Sequence, residues 1–167
     1  SSAAIAAGEA ALATRGVSNC RFETGDVYAL EHRDETFDLV HAHQVLQHLT
    51  DPVKALREMR RVVRPVGVVA VRDADDAAFS WAPAEPMIDR GLELYQSITR
   101  QAGGEPNAGR YLLGWAQRAG FSDVRSSSST WTFATADARS WWGELWADRV
   151  VASNDATQVL ESGLADR

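Results

Sequence analysis

The stretch from Phe37 to Asp75 most constrains what this chain can fold into. FDLVHAH reads as a β-strand with Leu39 and Val40 as its buried centre. Asp51-Pro52 then opens a helix, an acidic N-cap followed by proline at the first helical position. Val53, Leu56, Met59 and Val63 recur at helical spacing, while Lys54, Arg57, Glu58, Arg60 and Arg61 face away. Arg64-Pro65 ends that helix. VGVVAVRDAD follows, a nearly continuous apolar run of the kind expected for a strand buried on both faces. Strand, helix and strand at this spacing form a βαβ unit, which predicts an α/β fold on a mostly parallel sheet with right-handed crossovers.

The flanks are read against that unit. Ala3 to Arg15 is an alanine-rich helix closing at Gly16. CRFETGD, residues 20–26, alternates like a short strand and ends in a turn, and Arg33 to Thr36 is polar loop. Residues 86–102 read as a helix, QAGGEPNAG as a loop, and Arg110 to Ala119 as a helix closed by Gly120. SDVRSSSSTWTFAT starts like a linker, but its later threonines and aromatics predict a strand at a sheet edge. ADARSWWGELWADRVVAS is a tryptophan-rich amphipathic helix, and a last short helix is expected from Asp155 to Leu164. No internal repeat or domain boundary is evident, so residues 1–167 are expected to form a single domain.

Composition narrows the classes of function. The chain has 167 residues, 45% hydrophobic and 24% charged, as a soluble domain with a real core would. A net charge of −6 argues against non-specific attraction to nucleic acid. No apolar run is long enough to span a bilayer, and no signal peptide stands out. The single cysteine, Cys20, allows no internal disulfide and fits a reducing, cytoplasmic location.

HAHQVLQHL, residues 41–49, places three histidines at the junction of a strand and a turn. His41 and His43 share one strand face, which a metal site could use. A third ligand would have to come from His48 beyond the turn, with no cysteine nearby, so no metal is expected. Asp73, Asp75 and Asp76, ending the next strand, are expected as a solvated rim or as substrate contacts.

GDV at the end of one strand, FDLVHAHQVLQHLTDP around the next, and ALREMRRVVRPVGVVAV after it closely resemble class I S-adenosylmethionine-dependent methyltransferases. The resemblance covers residues 1 to about 125 and is closest to the ubiquinone/menaquinone biosynthesis branch. It implies a Rossmann-like, doubly wound, mostly parallel sheet, with ligands bound outside the carboxyl ends of the strands. Residues 1–80 would then be the cofactor-side βαβ core and 81–167 a helical, substrate-side region. S-adenosylmethionine is the implied cofactor and a small molecule the implied methyl acceptor.

Asp26 would accept a hydrogen bond from the adenine amino group while Val27 packs on the ring; the alternative is a turn-forming aspartate after Gly25. By the same resemblance, His43 and Gln44 line the methionine end of the cofactor, often through backbone atoms. His48 matches the place of a catalytic histidine in some small-molecule methyltransferases and would take a proton from the acceptor; the alternative is a histidine that fixes the turn. Trp81, Trp141, Trp142 and Trp146 could roof a flat or lipophilic substrate or simply pack helix on sheet, with Trp142 and Trp146 on one helical face. Arg110 could meet an anionic substrate group or lie idle at the surface.

Two departures stand out. The glycine-rich turn and the ribose-binding acid of the family pattern have no counterpart here, and Val66 in RPVG replaces a glycine. The chain also begins SSAAIAAGEA without methionine, so it is expected to be truncated at both ends, binding cofactor weakly alone. Exposed strand edges in such a piece leave homo-oligomer formation open. Two other functions compete: a nucleotide-cofactor oxidoreductase on a similar sheet, and a non-enzymatic interaction protein that keeps the fold.

Overall fold

The computed structural model describes residues 2–152. Helix α1 (Ser2–Thr14) is followed by strand β1 (Phe37–His43), helix α2 (Pro52–Val62) and strand β2 (Val63–Arg72). Helices α3 (Pro86–Gln101), α4 (Leu112–Arg118) and α5 (Ala136–Ala152) complete the order, with a short 3-10 turn at Leu46–His48. The two strands pair in parallel, from Leu39 opposite Val68 to His43 opposite Arg72. The expected βαβ unit is therefore present. The helix expected from Asp155 to Leu164 lies outside the described residues.

Local chemistry explains where α2 begins and ends. Asp51 Oδ1 accepts from the Lys54 backbone N–H at 2.9 Å, and Pro52 occupies the first turn, where it forfeits no helical hydrogen bond. After Val62 the chain turns directly into β2, where Val63 pairs with Phe37 before the ladder is interrupted. The interruption falls at Arg64-Pro65-Val66, and proline cannot donate to a ladder. Gly67 brings the chain back into register: a Cβ there would lie 2.7 Å from the carbonyl oxygen of Asp38. Val66, by contrast, is 95% exposed, so the residue that replaces the family's glycine meets only solvent.

The core forms where α2 covers one face of the strands. Val53, Ala55, Leu56, Met59 and Val62 are buried along α2. Ala42, Leu46 and Ala119 form one cluster with the first four of these, flanked by Val27, Tyr28, Val40, Val69, Val71 and Trp115. Arg61 ties the preceding loop to this helix: it bonds Glu58 at 2.5 Å and Asp34 at 2.7 Å and donates to the carbonyls of Leu30 and His32. Glu58 also accepts from the Leu30 N–H at 2.8 Å. The Arg61 guanidinium holds the Glu58 carboxyl below its ordinary range.

Several expectations need correction. Leu39 is not a buried centre; it is 59% exposed, on the face opposite Val40 and Ala42. Strand β2 is not buried on both faces, with Val68 57% exposed beside Leu39. Among the described residues α2 covers one sheet face, with α4 packed on α2, and the alternation of the strand sends Leu39 to the other face. Residues 20–25 form no strand, because among the described residues the sheet holds β1 and β2 alone. Phe22 instead sets its ring against Gly8 of α1, 2.8 Å from where a Cβ would stand. Residues 122–135 form no strand either. That segment is held by its side chains: the Arg72 guanidinium lies 4.9 Å from the Trp131 ring centroid, and Phe133 stacks on Trp142 at 4.4 Å.

Leu56 is 1% exposed at the middle of the α2 contact. Leu56→Ala should cost roughly 2–5 kcal/mol, read as a lowered urea midpoint at unchanged slope. A cost under about 0.5 kcal/mol would mean that α2 does not anchor the strands.

Candidate functional site

The carboxyl ends of β1 and β2 lie side by side, and the chain leaves β1 in a strained conformation. Gln44 has φ of +53°, in the left-handed region that a residue with a Cβ rarely enters. Its N–H donates to the Arg72 carbonyl at 2.7 Å, which fixes the turn against the end of β2. Strain of this kind costs on the order of 1–3 kcal/mol and concentrates at ligand clamps and active sites. His41 and His43 point to the exposed face with near-parallel rings, their centroids 6.4 Å apart. Among the described residues no group of three potential ligands could hold a metal ion.

The turn at Asp26–Ala29 reaches this end through its aromatic residue. Asp26 Oδ1 accepts from the Tyr28 N–H at 2.8 Å, and Tyr28 Oη in turn accepts from the Asp51 N–H at 3.1 Å. Asp26 thus forms its own turn, while the residue as a whole stays exposed. Val27 packs against the cluster of Ala42 and Leu46. Of Asp26, Val27, His43 and Gln44, Val27 is the one that packs on this core, while His43 and Gln44 follow its member Ala42 in the chain.

Asp73, Asp75 and Asp76 are not a solvated rim. Asp73 Oδ1 accepts from the Gln47 N–H at 3.2 Å, and its Oδ2 is buried with no hydrogen-bond partner among the described residues. Burial raises the Asp73 carboxyl above its ordinary range, while His48 and His43 pull the other way. Asp75 is paired bidentately with Arg110 at 2.7 and 3.0 Å, so the arginine is committed to a neighbour. Asp76 is 4% exposed, and burial, with Asp75 adding repulsion, pushes it up to about 6.

The loop 104–109 holds these acids in place, and sequence reading missed its role. Gln47 O accepts from the Glu105 N–H at 2.8 Å, Asn107 Oδ1 from Ala77 N–H at 2.8 Å, and Ala74 O from Gly109 N–H at 2.8 Å. Pro106, Asn107 and Ala108 are buried. A loop rich in glycine and polar residues usually signals the surface, so only the Pro-Asn pair gave any hint. Gly104 is required by space, since a Cβ there would lie 2.5 Å from Gln47 O.

Trp141, Trp142 and Trp146 of α5 pack on one another, whereas Trp81 lies outside that stack. Trp142 meets Trp146 at 5.8 Å, sharing a helical face as expected, and Trp146 meets Tyr95 of α3 at 5.2 Å. A separate cleft of about 270 Å³ lies at the start of α2, lined by Thr50, Pro52, Glu105, Trp115 and Arg118 among others. It includes none of the sequence-predicted site residues.

Asp76 sets a pH dependence whose sign is fixed. Its folded pKa of about 6 lies above the ordinary 3.8, so the folded state holds the proton longer than the unfolded one. Stability is greatest below pH 3.8 with respect to this group and falls as pH rises through about 6. Asp76→Asn should therefore gain stability over the wild type at pH 8, by on the order of 2–3 kcal/mol, with the gain vanishing near pH 4. Thermal melts at both pH values read it, and an equal gain at both would remove burial of the charge as the cause.

Comparison with known proteins follows the same residues. The chain matches the methyltransferase domain family over residues 1–124. It is 41% identical to an uncharacterized methyltransferase of Schizosaccharomyces pombe over 149 residues, covering 88% of this chain and 53% of that protein. It is 46% identical over 50 residues to the ubiquinone/menaquinone biosynthesis C-methyltransferase UbiE of Bdellovibrio bacteriovorus, covering 30% of this chain and 21% of that one. The YcgJ protein of Bacillus subtilis superposes with a TM-score of 0.46 at 18% identity, covering 91% of this chain and 67% of that one. The chain spans about half the length of the S. pombe relative. Among the described residues no helix is long and apolar enough to cross a membrane. The chain belongs to the class I S-adenosylmethionine-dependent methyltransferases, and with them to the Rossmann-like α/β fold.

Proposed function

We propose that the protein carrying this chain transfers the methyl group of S-adenosylmethionine to a small-molecule acceptor at the carboxyl ends of β1 and β2. The observation that carries this reading is the left-handed Gln44 at the end of β1, held against Arg72, in a chain of this family. Such a turn lies at the place where open α/β sheets bind ligands.

The residues present fit the cofactor. Asp26 has one carboxylate oxygen tied to the Tyr28 N–H and belongs to an exposed turn, leaving an acceptor for the adenine amino group. Val27, half-buried beside it, gives the ring an apolar contact. His43 and Gln44 present backbone to the methionine end. When bound, the cofactor supplies an electrophilic methyl carbon. His48, exposed at the end of the 3-10 turn, takes the proton released by the acceptor as its nucleophilic atom is methylated.

His48→Ala, made in the protein that carries this chain, should lower turnover by roughly a hundredfold or more while cofactor affinity by calorimetry stays within about twofold. Loss of both in parallel would assign His48 to fixing the turn. Asp26→Ala should weaken cofactor binding by about tenfold or more, the worth of one hydrogen bond to a charged group. Unchanged affinity would confine Asp26 to its own turn.

A further inference from the structure

His48 is exposed, but the residue before it is not: Gln47 is 6% exposed. The Gln47 main chain is fixed on both sides, its N–H donating to Asp73 Oδ1 at 3.2 Å and its carbonyl accepting from Glu105 N–H at 2.8 Å. Its side-chain amide nitrogen lies 3.2 Å from His48 Nε2. An amide nitrogen carries two hydrogens and offers no lone pair, whereas a neutral imidazole has one nitrogen that donates and one that accepts. With the amide in this orientation its nitrogen donates, so Nε2 accepts and the ring hydrogen is assigned to Nδ1.

We propose that Gln47 is a positioning residue that holds His48 as its Nδ1–H tautomer, with the ring's lone pair directed at a buried amide. The functional meaning of this arrangement rests on the reading of His48 as the proton-transfer residue. In the state described, His48 offers the acceptor an N–H from Nδ1 and cannot take a proton there. It becomes a base at Nδ1 only after the Gln47 amide makes a half-turn. The ring then loses one proton from Nδ1 to solvent and gains one at Nε2, which donates to Gln47 Oε1, so the net charge is unchanged. The lone pair now lies at Nδ1, and the acceptor's proton enters there to give the imidazolium. The amide thus gates His48 between hydrogen-bond donor and base.

The neutral tautomer can be read without any turnover, from long-range ¹H–¹⁵N correlation spectra of the histidine rings at about pH 9. The chain contains four histidines, and loss of one ring's signals in His48→Gln assigns His48. The wild type should show a protonated Nδ1 and an unprotonated Nε2. Gln47→Glu should reverse this, because a carboxylate only accepts, and Gln47→Met should give a mixture of tautomers. The Met variant with the wild type decides the matter if the buried carboxylate prevents folding. A wild type with its hydrogen on Nε2, or one pattern across all variants, overturns the proposal. The two readings fail separately. Full turnover in His48→Ala would defeat the methyl-transfer role while leaving the tautomer result standing, and a silent Gln47 series with turnover lost in His48→Ala would defeat this inference alone.

Discussion

The described fold depends on α2 lying across one face of two parallel strands. Without that burial, β1 and β2 would be a bare two-stranded ribbon, which is marginal in water. Leu56 and Met59 from the helix and Ala42 and Leu46 from the β1 side share one buried cluster. Everything functional is referred to it. The Asp26 turn arrives because Val27 and Tyr28 pack there, and the 3-10 turn carrying His48 is anchored by Leu46, which is 0% exposed.

A second, polar layer sits at the carboxyl ends of the strands. Gln47 links the 3-10 turn to Asp73 and to the 104–109 loop, and that loop reaches back to Ala74, Asp76 and Ala77. Three segments distant in sequence are thereby joined by short hydrogen bonds around buried carboxylates. A buried acid raised in this way is costly on its own and is tolerated where it serves a site. The apolar cluster anchors the candidate site, and the polar layer raises the carboxyls of Asp73 and Asp76 beside it.

The sequence was most legible where one element carried its own signals. Asp51-Pro52 gave the start of α2, although the helix ends at Val62, before the expected Arg64-Pro65, and Gly16 and Gly120, with φ of +66° and +94°, are the helix stops they were expected to be. Reading failed where the outcome depended on a neighbour. Residues 20–25 and 122–135 have strand-like alternation, but alternation makes a strand only beside another strand. Leu39 looked central because the run around it is apolar, whereas burial is decided by what covers each face. In the candidate site, Asp26, His43, Gln44 and His48 are the residues that motif order proposes. Asp73, Asp76 and Gln47 owe their importance to a loop some thirty to sixty residues later in the chain, which no local pattern announces.

The RPVG turn shows how unevenly two adjacent positions can be bound by the same fold. At 67 the backbone passes so close to Asp38 that no side chain has room, whereas the side chain at 66 stands almost wholly in water. Mutational drift should therefore be free at one position and forbidden at the next. A pattern that requires glycine at both would reject chains, this one included, whose backbones meet the same demand with a single glycine.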